Sequence, residues 1–208
     1  MEYISQDSQG IPNKQLYKII ARHFKSGLFA PRRIELERAR SLTDLKIRDD
    51  SVTDLKFLRY FPKLEMLSIC SANLKDISGL QHTPKLDVLS IMTQSLTDIS
   101  PIGDCLELTL LDLEMFSEND DLSLARINDF SIIGRCRLIK ELWLENNRIE
   151  DIGWISGLTN LQELFISRNP IKDFLPLKEI AGLQLIEVDH SQNINPADFP
   201  DTNVQYTD

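Results

Sequence analysis

Six aspartates recur at one position of a repeated segment, and carboxylates at a fixed spacing are the first candidates for chemistry in this chain. These residues are Asp54, Asp76, Asp98, Asp129, Asp151 and Asp173. A column of carboxylates could hold metal ions, since hard cations take oxygen ligands. The alternative is capping, in which each side chain accepts a backbone N–H at the start of a short helical turn. Because aspartate just before an apolar turn is commonly a cap, we predict six caps and no metal site.

The other residue types that carry out catalysis form no constellation. Cys105 and Cys136 occupy the same repeat position, where small buried hydrophobes are expected, and Cys70 has no histidine placed to activate it. Three histidines lie far apart along the chain: His23, His82 and His190. Neither a phosphate-binding G-x-x-x-x-G-K-[ST] loop nor a G-x-S-x-G nucleophile motif occurs. We therefore predict no enzyme activity, no catalytic residue, no cofactor and no metal.

Composition limits the kind of partner. The chain has 208 residues, 42% of them apolar, and a formal net charge of −9. This charge argues against nucleic acid or an anionic membrane as the partner, because both require a basic surface. It suits a basic protein partner, although solubility alone also explains it. The polar start, the lack of a membrane-length apolar run and three widely spaced cysteines predict a cytoplasmic protein with reduced thiols. Delivery by a specialised secretion system stays open.

A repeat of 22 residues positions these side chains. The motif L-x-x-L-x-L begins at Leu42, Leu64 and Leu86. It continues at Leu108, Ile139, Leu161 and Leu183, which makes seven units from residue 42 to about 199. An insertion at about residues 117–126 lengthens the fourth unit, and the phase of the repeat returns after it. A unit of this kind can bury its leucines only by stacking on its neighbours.

This pattern resembles the leucine-rich repeat family, in particular the internalin-type bacterial proteins and the eukaryotic regulatory subunits of protein phosphatase 1. The resemblance implies an α/β solenoid: a right-handed arc with a concave parallel β-sheet, short 3-10 or helical convex turns and an N-terminal helical cap. It also implies an asparagine ladder after the strands, which Asn147 and Asn169 match while the first four units depart from it. The resemblance specifies the fold and says little about function.

The two ends of the chain differ from the repeats. Residues 1–41 predict a helical cap with a flexible start, similar to the cap of internalin-type proteins. The helix lies within residues 12–25, with Gly27 as its stop signal, and residues 34–40 form either a short helix or an irregular first unit. Its apolar face comprises Leu16, Ile19, Ile20 and Phe24. Residues 200–208 are polar and predict a flexible C-terminal tail.

Strand alternation predicts which side chains face the concave side. The first unit shows Asp44, Lys46 and Arg48, and the middle units show an apolar strip that includes Met66, Val88 and Met92. The last four units show seven carboxylates: Asp112, Glu114, Glu141, Glu145, Glu163, Glu187 and Asp189. Trp143 and Phe165 occupy the same position of adjacent strands, about 4.8 Å apart, and Ser167 follows Phe165 on the same face. Acidic residues or single aromatics on a surface often have no partner, but an apolar strip with two adjacent aromatics is typical of a binding surface.

We therefore predict a non-catalytic protein–protein interaction module that binds a globular, basic protein partner on its concave face and is a monomer when free. The binding residues would be Trp143, Phe165, the seven carboxylates, Met66 and Met92. An inhibitor or immunity protein fits these features, and so does a regulatory subunit; the resemblance of the cap favours a bacterial origin. The alternatives are a self-associating structural scaffold and an injected bacterial effector. The insertion is either a tolerated surface loop or a second contact with the same partner.

Overall fold

The computed structural model describes residues 2–25, 30–115 and 126–207. Two short α-helices lie near the N-terminus, α1 Lys14–Arg22 and α2 Leu36–Arg40. Strands in these ranges are β1 Tyr3–Ile4, β2 Ile34–Glu35, β3 Asp44–Arg48, β4 Met66–Cys70, β5 Val88–Thr93, β6 Leu110–Met115, β7 Glu141–Trp143, β8 Glu163–Phe165, β9 Leu185–Asp189 and β10 Asn203–Thr207. Short 3-10 helices follow the first seven strands of the large sheet: Lys56–Tyr60, Ser78–His82, Ser100–Asp104, Ser131–Arg135, Gly153–Gly157, Leu175–Glu179 and Pro196–Asp198.

Strands β3 to β10 form one parallel sheet in chain order, while β1 and β2 pair separately and antiparallel. The register advances by one repeat per strand, so that Leu45 pairs with Leu67 and Leu67 with Leu89. Between β6 and β7 the step is longer, because the insertion lies there, and Leu111 pairs with Leu142. The repeat phase therefore passes through the insertion unbroken, and the predicted α/β solenoid is confirmed.

Leucines and isoleucines of consecutive units stack into one continuous core between the sheet and the 3-10 helices. Leu142 and Leu144 on the strand side are fully buried, as is Ile155 on the convex side. Burial of each such side chain stabilises the fold by about 1.5–3 kcal/mol. Cys105 and Cys136 lie in the same core, as predicted, and burial raises the pKa of the two thiols to about 12 and about 11 respectively.

The six repeated aspartates cap the convex turns, which confirms the capping prediction. In each unit the Oδ1 atom accepts the backbone N–H of the residue two positions on, at 2.8–3.0 Å. The donors are Lys56, Ser78, Ser100, Ser131, Gly153 and Leu175. Each acceptor satisfies one N–H that the short helix leaves unpaired at its start. Within the described ranges, no three His, Cys, Asp or Glu side chains are grouped as metal ligands.

Buried amides support the bend after the last strands. Asn169 Oδ1 accepts the backbone N–H groups of Asn147 and Ile149 at 3.1 and 2.9 Å, and its Nδ2 donates to the carbonyl of Leu144 at 2.8 Å. Gln192 continues the ladder, since its Nε2 donates to the carbonyl of Asn169 at 2.8 Å. The sequence analysis predicted the two asparagines but not the glutamine, which lies one residue past the ladder position.

Buried hydroxyls take over this task in the second and third units. Ser71 Oγ donates to the carbonyl of Val52 at 2.8 Å, and Thr93 Oγ1 donates to the carbonyl of Leu74 at 3.2 Å. Both side chains are fully buried. Units without asparagine therefore keep their backbone groups paired, and the sheet stays regular there.

The N-terminal cap packs on the first repeat as predicted. Helix α1 begins after Asn13, whose side chain accepts the N–H groups of Gln15 and Leu16. Leu16, Ile20 and Phe24 are buried in the core that continues into the repeats, and Ile19 is partly buried. Residues 34–40 resolve into β2 followed by α2, the short-helix alternative. Gly27, the predicted stop, lies outside the described residues.

The prediction of a flexible tail after Pro200 is wrong for residues 203–207. They form β10, which pairs with β9 in parallel register along its whole length. The backbone N–H of Asn203 donates to the carbonyl of Gln184 at 2.8 Å, and Val204 packs against the core. The sequence did not indicate this strand because its unit is shorter than 22 residues and lacks the two leucines.

Two further points concern the rest of the chain. Most of the predicted insertion falls in residues 116–125, outside the described residues, and at its end Arg126 is exposed, 3.7 Å from Glu150. None of the helices in the described part of the chain has the length and apolar character needed to cross a membrane.

Candidate partner-binding surface

The register of the sheet arranges the middle positions of four strands into one row. Trp143 pairs with Asp112 of β6 on one side and with Phe165 of β8 on the other. Phe165 in turn pairs with Glu187 of β9. Two aromatic rings therefore lie side by side with a carboxylate at each end of the pair.

The two rings are stacked. Their centroids are 3.7 Å apart and their planes differ by 15°, so the two rings lie nearly face to face. Because this separation is shorter than the strand spacing of about 4.8 Å, the rings stand up from the sheet with their planes across the strand-to-strand direction. The aromatic pair predicted from the sequence is thus a single rigid unit.

Burial corrects one part of the prediction for the concave face. Phe165 is only 8% exposed and Ser167 only 4%, whereas both were expected to face solvent. The ring of Trp143 covers Phe165, so the face that a partner can touch is mainly that of Trp143, which is half-buried. The alternation is right, since Leu164 and Ile166 point into the core; what failed is the assumption that a concave side chain is exposed.

Six carboxylates surround the aromatic pair, and together with Trp143 and Phe165 we call them the concave patch. They are Asp112, Glu114, Glu141, Glu145, Glu163 and Glu187. Glu141 and Glu163 pair with each other in the register, two residues before Trp143 and Phe165 on their strands. All six are half-buried. In the described part of the chain, the four ion pairs closer than 4 Å lie elsewhere, so none of these six carboxylates pairs with a basic side chain at that distance.

The carboxylates of the concave patch affect one another. Burial is the largest cause that raises the pKa of Asp112, opposed by the hydroxyl of Ser90, which donates to Asp112 Oδ2 at 2.8 Å. Burial also raises the pKa of Glu114, with further raising by the charge of Asp112 and partial lowering by Arg168. The charges already present therefore oppose one another in the folded chain.

Among these carboxylates, Glu145 is affected by the largest number of neighbouring charges. Burial raises its pKa first, and then the charges of Glu187, Glu114 and Asp112 raise it further. Such mutual repulsion costs free energy unless a cation is present. The carboxylates of the concave patch therefore repel one another in the isolated chain.

The remaining predicted residues lie outside the concave patch. Met66 and Met92 are half-buried on β4 and β5, and Met92 Sδ lies 3.8 Å from Cys70 Sγ. Asp189 accepts the backbone N–H of Arg168 at 2.5 Å and also a bond from Ser191, so it is engaged in the turn after β9. In the register Met66 pairs with Val88, whereas Met92 pairs with Glu114 of the concave patch, and Asp189 is tied to the local turn.

Two residues of this surface, Ser90 on the concave face and Arg168 just beyond its strand, were not among the predicted binding residues. Ser90 bonds Asp112, and the charge of Arg168 acts on Glu114. Ser90 could have been found from the register, since it occupies the position of Asp112 one strand earlier. Arg168 follows β8 in a left-handed conformation with φ 56°, which carries no clear signal in the sequence.

Comparisons with known proteins address the fold. Residues 138–179 match the family model described as Leucine Rich repeats (2 copies). A comparison with curated proteins gave no match. Among solved structures, the functional domain of InlJ from Listeria monocytogenes, which includes a cysteine ladder, has a TM-score of 0.54 at 17% identity, over 93% of this chain and 45% of that chain.

Two other Listeria monocytogenes structures are similar at lower scores. An internalin C2 has a TM-score of 0.44 at 16% identity, over 83% of this chain and 91% of that chain. An internalin InlF has a TM-score of 0.43 at 18% identity, over 94% of this chain and 75% of that chain. The repeat, the stacked parallel sheet and the match over residues 138–179 together show a leucine-rich repeat fold.

Proposed function

We propose that this protein is a non-catalytic interaction module that binds a globular protein with a basic surface on its concave face. Leucine-rich repeat proteins generally mediate protein–protein interaction, and their open curved sheets offer an extended surface for it. One observation carries the choice of surface: the stacked pair of Trp143 and Phe165 is surrounded by six half-buried carboxylates with no cation among the described residues within 4 Å of them.

The physical basis is the complementarity of the surface to a cationic partner. A basic patch would relieve the repulsion between the carboxylates and would also steer the encounter. The indole of Trp143 supplies apolar contact at the centre, and tryptophan is among the residues that most often dominate binding energy. An inhibitor or immunity protein, or a regulatory subunit, uses such a surface to cover a basic site on its target. Three free thiols suit a reducing compartment such as the cytoplasm.

The test replaces Trp143 and compares binding of the same partner. The partner is first captured from native lysate and identified by mass spectrometry, and its affinity is then measured by calorimetry. Trp143→Ala should weaken binding by about 2 kcal/mol or more, as expected for the truncation of a central tryptophan. The matched control is Trp154→Ala, which removes a half-buried tryptophan of the convex side and should leave the affinity unchanged.

Circular dichroism must show that both variants keep the fold. Unchanged affinity of a folded Trp143→Ala variant contradicts the proposal. The self-associating scaffold is the alternative outcome, and size-exclusion chromatography with light scattering separates the two. If the parent chain forms a stable oligomer without any partner while Trp143→Ala is a monomer, that result assigns the concave patch to self-association instead.

A further inference from the structure

The geometry points to an arginine side chain as the group that the partner places on the concave patch, with its guanidinium stacked on Trp143 and bonded to the carboxylates beside it. This inference rests on the proposed function and specifies the chemistry of that same surface. It also predicts that lysine is a poor substitute for arginine.

Trp143 is half-buried, so part of its indole is accessible to such a contact on the face away from Phe165. Its other face is stacked on Phe165 at 3.7 Å. The accessible face is turned toward β6, where the register partner is Asp112. Asp112 Oδ2 accepts a hydrogen bond from the Ser90 hydroxyl at 2.8 Å, on the strand beyond. We call the space between the accessible indole face and Asp112 the indole slot.

The indole slot is matched to a flat cation. A guanidinium stacks on an aromatic face and presents five N–H donors in its own plane. Three carboxylates lie near the slot: Asp112 is in the same row as Trp143, its charge raises the pKa of Glu114, and the charges of Glu114 and Asp112 both raise the pKa of Glu145. A lysine ammonium has three donors and holds its water more tightly, so it gains less from the ring and reaches fewer of these oxygens.

The stack with Phe165 makes the slot rigid. Phe165 is 8% exposed, and its ring covers one face of the Trp143 indole. If Phe165 turned aside, that face of the indole would be uncovered. A partner side chain therefore meets an indole whose orientation is already set, which lowers the entropic cost of binding. Arg168 is the nearest basic residue to act on this region, through its effect on Glu114, but it is exposed and makes no ion pair within 4 Å among the described residues.

Three capped peptides of equal length test the inference on the full chain. One contains three arginines, the second three lysines and the third three citrullines, which keep the shape of arginine without its charge. The chain has only two tryptophans, Trp143 and Trp154, so a nitrogen-15 spectrum contains two indole N–H signals. A Trp154→Phe variant assigns them. The indole N–H of Trp154 donates to the carbonyl of Asp151 at 3.1 Å and serves as an internal control.

The expected result is a saturable shift of the Trp143 signal with the arginine peptide and no shift of the Trp154 signal. The lysine peptide should bind several-fold more weakly, and the citrulline peptide should give no shift. Asp112→Asn, which keeps the shape of the slot, should weaken arginine binding several-fold. Glu107→Gln, an exposed convex carboxylate, should not change it.

Equal binding of the lysine and arginine peptides, or no shift with either, overturns the inference. These outcomes are distinguishable from failure of the proposed function. If Trp143→Ala abolishes binding of the captured partner while the arginine peptide does not shift the Trp143 signal, the concave face remains the binding surface and only the arginine assignment falls. If neither partner nor peptide depends on Trp143, both proposals fall.

Discussion

At the scale of single residues, Asp112 is a position where stability and binding are opposed. Burial raises the pKa of its carboxyl group, so the folded chain binds the proton more tightly than the unfolded chain does. Its contribution to stability is therefore complete below the unfolded pKa and is lost as the pH rises through the raised folded pKa. Above that pH range the charged form costs free energy in the folded chain, and a bound cation would recover that cost.

Asp112→Asn should therefore be more stable than the parent protein at neutral pH. Asparagine keeps an oxygen that can accept the Ser90 hydroxyl and removes the charge. We expect a rise in Tm of roughly 2 °C at pH 7, since 1 kcal/mol corresponds to about 2–4 °C for a chain of this size. The gain should fade as the pH is lowered to about 3, below the ordinary aspartate value near 3.9. Thermal denaturation followed by circular dichroism at both pH values measures this.

The control for this experiment is Asp104→Asn, an exposed carboxylate outside the concave patch, which should leave Tm unchanged within error. Six other aspartates have lowered pKa values from hydrogen bonds and weaken the fold as the pH falls. The comparison is therefore between variant and parent at each pH. A lower Tm for Asp112→Asn at pH 7 would show that the charge is stabilising and would remove this support for a binding role.

What could be predicted at the residue scale followed from alternation alone. The period of two in a strand assigns Trp143 and Phe165 to the concave side and Leu142 and Leu144 to the core, as the structure confirms. The burial of Phe165 could not be predicted, because it depends on the ring of Trp143, which is 22 residues earlier in the chain. Side-chain contacts between strands depend on packing, and the alternation within a single strand does not predict that packing.

At the scale of elements, the bend after each strand is the feature that decides regularity. Asn169 makes the most hydrogen bonds at this bend. Its Nδ2 lies within hydrogen-bond distance of three carbonyl oxygens, and its Oδ1 accepts two backbone N–H groups. The residue is only 3% exposed. Its neighbours Asn147 and Gln192 depend on the same ladder. A buried backbone group left without a partner costs about 1–3 kcal/mol.

Asn169→Ala should consequently lower the free energy of unfolding by at least about 3 kcal/mol, since several buried groups lose their partner together. The matched control is Asn160→Ala, an exposed asparagine that donates once, to the carbonyl of Arg137 at 2.7 Å; its cost should stay within about 1 kcal/mol. Urea denaturation measures both. Equal costs for the two variants would mean that water replaces the ladder bonds of Asn169.

The element scale also shows where the repeat pattern stops being informative. Repeat starts spaced by 22 residues, apart from the insertion, predict strands β3 to β9, and the six aspartates predict the caps of the first six turns; the seventh turn is capped by Asn195 instead. Strand β10 carries neither signal and forms on the edge that β9 offers. Ser71 and Thr93 support the bend with hydroxyls in place of amides, and a pattern search for asparagine finds neither.

At the scale of the whole molecule, charge is divided along the solenoid. Residues 1–63 contain 13 Lys and Arg against 8 Asp and Glu, and the rest of the chain contains 10 against 24. The concave face follows the same gradient, from Lys46 and Arg48 on β3 to the concave patch on β6 to β9. A cationic partner therefore meets a field that repels it at one end and attracts it at the other, which orients the encounter.

The charge gradient leads to a test that distinguishes the long-range electrostatic effect of β3 on the ligand from direct contact between β3 and the ligand. Lys46 and Arg48 lie four strands from Trp143, or about 19 Å at the usual strand spacing. Charges at that distance interact at an ionic strength of about 0.01 M, where the Debye length is about 30 Å, and are screened at about 0.15 M, where it is about 8 Å. The double variant Lys46→Glu with Arg48→Glu should therefore bind the arginine peptide more tightly than the parent at low salt and equally at physiological salt.

The nuclear magnetic resonance titration of the Trp143 signal, repeated at the two salt concentrations, measures this difference. The citrulline peptide is the matched control, since this neutral ligand should give no shift of the Trp143 signal with either protein at either salt concentration. An equal gain in affinity at both salt concentrations would mean that the peptide touches β3 directly, because only short-range contacts escape screening. No gain at low salt would show that the charge gradient does not act on the concave patch, and the orientation of the partner would then have to come from shape alone.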